Sequence, residues 1–367
     1  MLLDIIAGAR PNFMKIAPLI DSISEARGNG YDITYRLVHT GQHYDHNMSG
    51  SFFQQLGIPT PDINLEAGGG SQAEQTAAIM IGYEKLLKRR PADLCVVVGD
   101  VTSTMACAIT AQKMHVKVAH VEAGIRSGDW QMPEEINRWV TDAVTNYFFT
   151  TTEASASNLE HSGIAKERIF WVGNTMIDTL LKNRPRFYPP PVWHKAQLGP
   201  GKYIVMTLHR PSNVDEQSQL TRLLEAIVEH SNKLPIVFPV HPRTQKQLEQ
   251  ISLDLSNVHL IPPLSYLEFN FLVEHATAVI TDSGGITEET TVLSVPCMTL
   301  RDTTERPETV TIGTNELLGT DPGAIGPAMT RLFSGNWKKG KVPEKWDGKT
   351  GLRIVQKIIE LMDQGVF

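Results

Sequence analysis

The sequence predicts an α/β protein made of two doubly wound domains, each a parallel sheet with helices on both faces. Three observations predict it. Strand-like and helix-like segments alternate almost without interruption, the order expected of βαβ units. Leu94-Cys95-Val96-Val97-Val98 is continuously apolar rather than alternating, as in a strand buried on both faces. The pattern runs to Val172 and restarts after Gly173, and a chain of 367 residues suits two domains. The expected division is 1–172 and 173–350.

Taken in order, Leu2–Ala7 reads as a first strand and Pro11–Glu25 as a helix, through Phe13, Ile16, Ala17, Ile20 and Ile23. Pro18 inside that run is expected to kink or shorten it. Tyr35–His39 is a second strand, Gln72–Lys88 a helix and Leu94–Gly99 the buried strand. Helices at Thr104–Met114, Glu134–Val144 and Ala154–His161 alternate with strands at Val116–Val121, Tyr147–Thr150 and Arg168–Val172. After a helix at Met176–Leu181, the Pro-rich stretch from Arg184 to Trp193 reads as a surface connection. The second half has strands at Tyr203–Leu208, Ile236–Val240, Val258–Ile261, Ala278–Thr281 and Cys297–Leu300. Its helices fall at Gln217–His230, Thr244–Ile251, Tyr266–Glu274, Thr287–Leu293, Ala324–Phe333 and Leu352–Met362.

Hydrophobic content of 41% and charged content of 20% are those of a globular protein. A net charge of −6 argues against a nucleic-acid surface, and the one compact basic run, Lys85–Arg90, closes an expected helix, where cations suit the dipole. The three cysteines, Cys95, Cys107 and Cys297, are far apart in apolar runs, which is neither a disulfide framework nor a zinc pattern. No apolar segment approaches the ~20 residues that span a bilayer, and the chain opens on a strand pattern rather than a signal peptide. The expectation is a cytoplasmic protein with no membrane or nucleic-acid partner.

In open α/β sheets, ligands bind outside the carboxyl ends of the strands, so the cleft between two such domains is the expected site. The stretches after strands carry the reactive residues. Gly8-Ala9-Arg10-Pro11 opens a helix, with Arg10 and Lys15 near its N-terminus, where they suit a phosphate or serve as plain surface cations. Asp100 and Glu122 end two strands expected to be neighbours, and Glu134 opens a helix after Pro133. Close carboxylates in a partly dry site repel, which leaves one as an acid and another as a base. Each taken alone also suits a helix cap or strand end.

The second half offers His209 and Arg210 after one strand and His241-Pro242-Arg243 after the next. No His-x-x-x-His or Cys-x-x-Cys accompanies them, so anion and sugar contacts fit better than a metal. Ser283-Gly284-Gly285 joins a strand to a helix and aims backbone N–H groups at one spot, which suits a diphosphate. Glu289, about one turn in, is placed to accept from sugar hydroxyls. A turn that uses glycine for geometry alone reads the same way.

These stretches resemble the non-hydrolysing UDP-N-acetylglucosamine 2-epimerase family. The resemblance rests on Gly8–Pro11 with Lys15, Thr40-Gly41-Gln42-His43, Val98-Gly99-Asp100, His120–Arg126 and Pro133–Arg138. It continues through Gly173-Asn174-Thr175, Asp282–Gly285 with Glu288-Glu289, and Arg301–Glu308, in order over nearly the full length. It implies a GT-B fold whose last helix, about 351–367, packs back on the first domain. It also implies a homodimer without cofactor or metal, serving polysaccharide biosynthesis.

The implied reaction eliminates UDP from UDP-GlcNAc to a 2-acetamidoglucal and re-adds it to give UDP-ManNAc. By motif, Asp100, Glu122, Glu134 and His209 are the catalytic groups. Arg10, Ser283, Gly284 and Gly285 hold the diphosphate and Glu289 the ribose. Lys15, Gln42, Arg138, His241 and Arg306 complete the substrate contacts. Ala9 replaces a threonine common in the family, and the loop Ser127–Met132 is short. Met132–Arg138 also resembles the branch acting on UDP-2,3-diacetamido-glucuronic acid. That sugar, UDP-GalNAc and a GT-B glycosyltransferase stand as alternatives.

Overall fold

The computed structural model describes residues 1–41, 55–240, 242–248, 251 and 253–366. The chain divides into two compact units, Met1–Lys182 with Glu344–Phe367, and Asn183–Pro343.

The first unit holds strands β1 (Leu2–Ala7), β2 (Thr34–His39), β3 (Ile63–Asn64), β4 (Leu94–Val98), β5 (Lys117–Val121), β6 (Tyr147–Thr150) and β7 (Ile169–Trp171). Among the described residues they form one parallel seven-stranded sheet in the order β3-β2-β1-β4-β5-β6-β7. Helices α1 (Arg10–Gly28), α2 (Gln72–Arg89), α3 (Thr102–Lys113), α4 (Pro133–Ala143) and α5 (Glu153–His161) lie between these strands, and α6 (Thr175–Asn183) follows the last of them. All of β4 is buried, as its unbroken apolar run requires. Ile79, Tyr83 and Leu87 of α2 pack with Ala106 and Ala108 of α3 over Val97 and Val118.

The second unit holds β8 (Ile204–Thr207), β9 (Ile236–Pro239), β10 (Val258–Ile261), β11 (Ala278–Thr281), β12 (Cys297–Thr299) and β13 (Asn315–Leu317). Among the described residues this sheet has the order β10-β9-β8-β11-β12-β13, again parallel. Its main helices are α7 (Gln217–His230), α8 (Tyr266–His275), α9 (Gly284–Leu293) and α10 (Ile325–Phe333). Leu223 and Ile227 of α7, with Ala328 and Met329 of α10, pack over Ile204, Phe238 and Ile280. In both sheets the order reverses once, between β1 and β4 and between β8 and β11. Connections diverge there and open the crevice in which doubly wound sheets take ligands.

The last helix, α11 (Thr350–Asp363), belongs to the first unit. The unit boundary after Lys182 lies beyond Gly173 because α6 is tied to the same unit. Asp178 accepts from the Gly351 N–H at 2.8 Å, and Lys182 pairs with Asp21 at 2.5 Å. Contrary to expectation, Pro18 does not shorten α1, which runs unbroken to Gly28. A proline there leaves the Met14 carbonyl without its helical N–H, and the Thr179 hydroxyl of α6 donates to that carbonyl at 2.5 Å instead. Strands β3 and β13, of two and three residues, are too short to show a period in the sequence. Among the described residues no helix is long and apolar enough to cross a membrane.

Candidate active site

In the first unit the candidate residues gather where β1 and β4 part. Gly99 follows β4 at φ +69°, and its N–H donates to the Val121 carbonyl at 3.0 Å, which lays the end of β4 against the end of β5. Asp100 and Glu122 follow on these neighbouring strands, as expected from their strand-end positions. Glu122 itself has φ +73°, a conformation that costs a non-glycine residue about 1–3 kcal/mol and concentrates at functional sites.

These carboxylates do not face each other bare, which corrects the expectation of mutual repulsion. Arg138 of α4 donates to Asp100 Oδ2 from Nη2 at 2.6 Å and from Nε at 3.0 Å, and from Nη1 to Glu135 Oε2 at 2.7 Å. Lys15 of α1 pairs with Glu122 Oε2. Arg138 and Lys15, expected as substrate contacts, are both nearly buried and here balance the carboxylates. The cation beside each carboxylate offsets the penalty of charge in a partly dry place. Asp100 keeps 26% of its side chain exposed, enough for a substrate to reach it. Glu134 is the second residue of α4, half-buried, and forms no ion pair among the described residues. A side chain at 99 would stand 3.0 Å from Lys15 Nζ and take on the strain of a positive φ, so glycine is favoured there.

In the second unit the corresponding place is the parting of β8 and β11. Asp282, fully buried after β11, accepts from the backbone N–H groups of His209 (3.0 Å) and Arg210 (2.9 Å) and from Asn213 Nδ2 (3.1 Å). His209 Nδ1 lies 2.6 Å from Asp282 Oδ1, while 61% of the His209 side chain is exposed. The buried carboxylate thus sets the ring's orientation and leaves Nε2 outward, the arrangement that fixes a catalytic histidine's tautomer. Burial alone would push Asp282 up, but the hydrogen bonds from His209, Arg210 and Asn213 outweigh it and hold the carboxyl below its ordinary range.

Helix α9 begins at Gly284, earlier than the periodicity indicates, with Ser283 as its N-cap. Ser283 makes no side-chain cap bond, so its hydroxyl is not committed to the helix. A Cβ on Gly284 would stand 2.6 Å from Glu305 Oε1, so a side chain there would require the Glu305 carboxylate to shift. Arg301 holds Glu305 at 2.6 Å, and Arg306 pairs with Glu288 at 2.5 Å. Burial raises the Glu305 carboxyl, yet Arg301 and Arg306 bring it down to about 2. The helix start, Gly285 included, presents backbone N–H groups and a positive dipole end for an anion.

Glu289, one turn into α9, is buried. Its burial pushes the carboxyl up from 4.5 to about 7, partly offset by Tyr266 and Asn270. In that window the folded state binds more protons than the unfolded state, so stability falls as pH rises from about 4.5 to about 7. Glu289→Gln is expected to flatten this decline, read as a smaller drop in Tm between pH 5 and 7.5 than in the parent. Gln42 and His241 lie outside the described residues, and Arg10 is described only as the first backbone position of α1.

Several residues that build the site were not among the candidates read from the sequence. Asn12 accepts from the Gly8 and Ala9 N–H groups and donates to the Val98 carbonyl at 2.9 Å, so it stitches the β1–α1 turn to β4. Glu135 accepts from the Ser127 N–H and hydroxyl and from the Gly128 N–H, anchoring the loop before α4. Asn137 donates to the Asp100 carbonyl at 2.8 Å. A polar residue one turn into a helix that follows a strand is the available signal for Asn12.

A family profile described as UDP-N-acetylglucosamine 2-epimerase matches residues 26–359. A UDP-N-acetylglucosamine 2-epimerase of Methanocaldococcus jannaschii is 39% identical over 368 residues, 97% of this chain and 98% of its own length. A UDP-2,3-diacetamido-2,3-dideoxy-D-glucuronate 2-epimerase of Pseudomonas aeruginosa is 40% identical over 317 residues, 86% of this chain and 87% of its own. The solved structure of the Methanocaldococcus jannaschii UDP-GlcNAc 2-epimerase in complex with UDP-GlcNAc and UDP matches with a TM-score of 0.85 at 39% identity, over 98% of this chain and all of that one. Each of the two sheets in turn has the doubly wound order of a Rossmann-like unit. The fold is therefore GT-B, and the chain belongs to the UDP-N-acetylglucosamine 2-epimerase family.

Proposed function

We propose that this isomerase interconverts UDP-GlcNAc and UDP-ManNAc, without hydrolysing them, by eliminating and re-adding UDP. The observation that carries the reading is the pair Asp100 and Glu122, set on adjacent strand ends and each balanced by its own cation. It is supported by the Methanocaldococcus jannaschii relative, whose structure is described in complex with UDP-GlcNAc and UDP.

In the forward direction a carboxylate takes the C2 proton as the C1–O bond breaks. UDP leaves with the bonding electrons, and a 2-acetamidoglucal unsaturated between C1 and C2 remains. UDP then re-forms the C1–O bond while a proton returns to C2 on the opposite face. The C2 proton is not acidic by itself, so its removal depends on a stabilised leaving diphosphate. Asp100, Glu122 and Glu134 serve the proton transfers. His209, aimed by Asp282, serves the leaving oxygen. Arg10, Ser283, Gly284 and Gly285 serve the diphosphate, Glu289 the ribose, and Lys15, Gln42, Arg138, His241 and Arg306 the remaining contacts. We read the working form as a cytoplasmic homodimer, with sedimentation of the purified chain testing the dimer.

Incubation with UDP-GlcNAc alone in D2O, followed by NMR, tests the reaction. Deuterium at C2 of an intact UDP-sugar is expected. Release of free sugar, or no exchange, rejects the reading for this substrate. A second reading, the same chemistry on UDP-2,3-diacetamido-glucuronic acid, is favoured by the Pseudomonas aeruginosa relative at 40% identity. Exchange with that sugar and none with UDP-GlcNAc decides for it.

A further inference from the structure

His120 lies on β5, 1% exposed and two residues before Glu122. Both of its ring nitrogens face oxygen atoms: Nδ1 is 2.8 Å from Asp142 Oδ1, and Nε2 is 2.8 Å from the Gly99 carbonyl oxygen. A carbonyl oxygen only accepts, so Nε2 donates. The proton between Nδ1 and Asp142 goes to the partner its surroundings favour. Asp142 Oδ2 pairs with Arg126 Nη1 at 2.7 Å and accepts from the Gly124 N–H at 3.2 Å, and both contacts favour the carboxylate. With Asp142 ionised, Nδ1 donates as well, and the ring carries two protons.

The contact with Gly99 matters because Gly99 is the turn from which Asp100 emerges. A glycine at positive φ is soft, yet here both its polar groups are tied, the N–H to Val121 and the carbonyl to His120. The next carbonyl, that of Asp100, accepts from Asn137. We propose that His120 is a positioning residue, a buried imidazolium that clamps the Gly99 carbonyl between β4 and β5 and so sets the direction in which Asp100 meets substrate. The proposal rests on the reading of Asp100 as a proton-transfer group. Beside an ionised Asp142, a neutral ring with its one N–H holds either Asp142 or Gly99, not both.

Two variants separate positioning from support of the core. In His120→Gln the side-chain amide reaches the place of Nε2 and can donate to Gly99. In His120→Asn it reaches only the place of Nδ1, beside Asp142. His120→Asn is expected to lower kcat with UDP-GlcNAc about 10²-fold, with KM and UDP affinity changed less than about threefold, and His120→Gln to recover about tenfold of that loss. Nitrogen-15 NMR of histidine-labelled full-length protein is expected to show one ring protonated at both nitrogens, absent from both variants. A ring protonated at one nitrogen overturns the proposal, as does wild-type kcat in folded His120→Asn, or a loss of UDP affinity equal to the loss of kcat. Deuterium exchange by the parent enzyme is the control for the reaction itself. If the parent does not exchange, the reaction assignment fails, while the NMR signature still decides the charge of His120.

Discussion

Asp100→Asn is expected to lower deuterium exchange at C2 about 10²–10⁴-fold, the range for removal of a general acid or base, while UDP affinity stays within a few-fold. The structure gives the reason for the split. Asp100 belongs to the first unit and its carboxylate meets Arg138, so the second unit's Ser283-Gly284 helix start is untouched by the change. Asparagine keeps a carbonyl oxygen for Arg138, and the Asn137 contact goes to the Asp100 backbone, so the turn remains supported. Exchange kinetics beside UDP titration calorimetry check the prediction. A parallel loss of UDP affinity and thermal stability would assign Asp100 a structural role instead.

Asp282→Ala is expected to cost the second unit about 3 kcal/mol or more, because at least three donors lose a buried acceptor at roughly 1–3 kcal/mol each. Those donors are the N–H groups of His209 and Arg210 and the Asn213 amide, all gathered on a carboxylate with no solvent exposure. The same change releases His209 Nδ1, so kcat falls further than stability alone accounts for. Asp282→Asn separates the two effects. It keeps the volume and places an NH2 against donors, so a thermal scan reads the lost acceptor, and kcat in the still-folded fraction reads the freed ring. A melting temperature within 1–2 °C of the parent for Asp282→Ala, near the smallest shift expected of about 1 kcal/mol in a domain this size, would refute the assignment.

Part of the candidate site was legible in the sequence. Asp100, Glu122, His209 and Ser283 were placed correctly at strand ends because the strands before them have clear apolar runs. The start of α9 at Gly284 was less legible, since glycine has poor helix propensity and the first turn lacks apolar periodicity. The continuity of α1 through Pro18 was not legible at all. The compensating donor, Thr179, is 165 residues away from Met14.

By itself the sequence determined the alternation of strands and helices, the carboxyl ends on which reactive residues stand, and the motifs of the family. Those are local properties, set by apolar periodicity, glycine and proline within a few residues. The tertiary structure alone decided the partners: Lys15 on Glu122, Arg138 on Asp100, Asp282 beneath His209, and His120 on Gly99. Each partnership depends on which strands lie side by side and where the order reverses. Burial then makes every unpaired charge expensive, so the folded chain brings a counter-charge from wherever in the sequence one can reach.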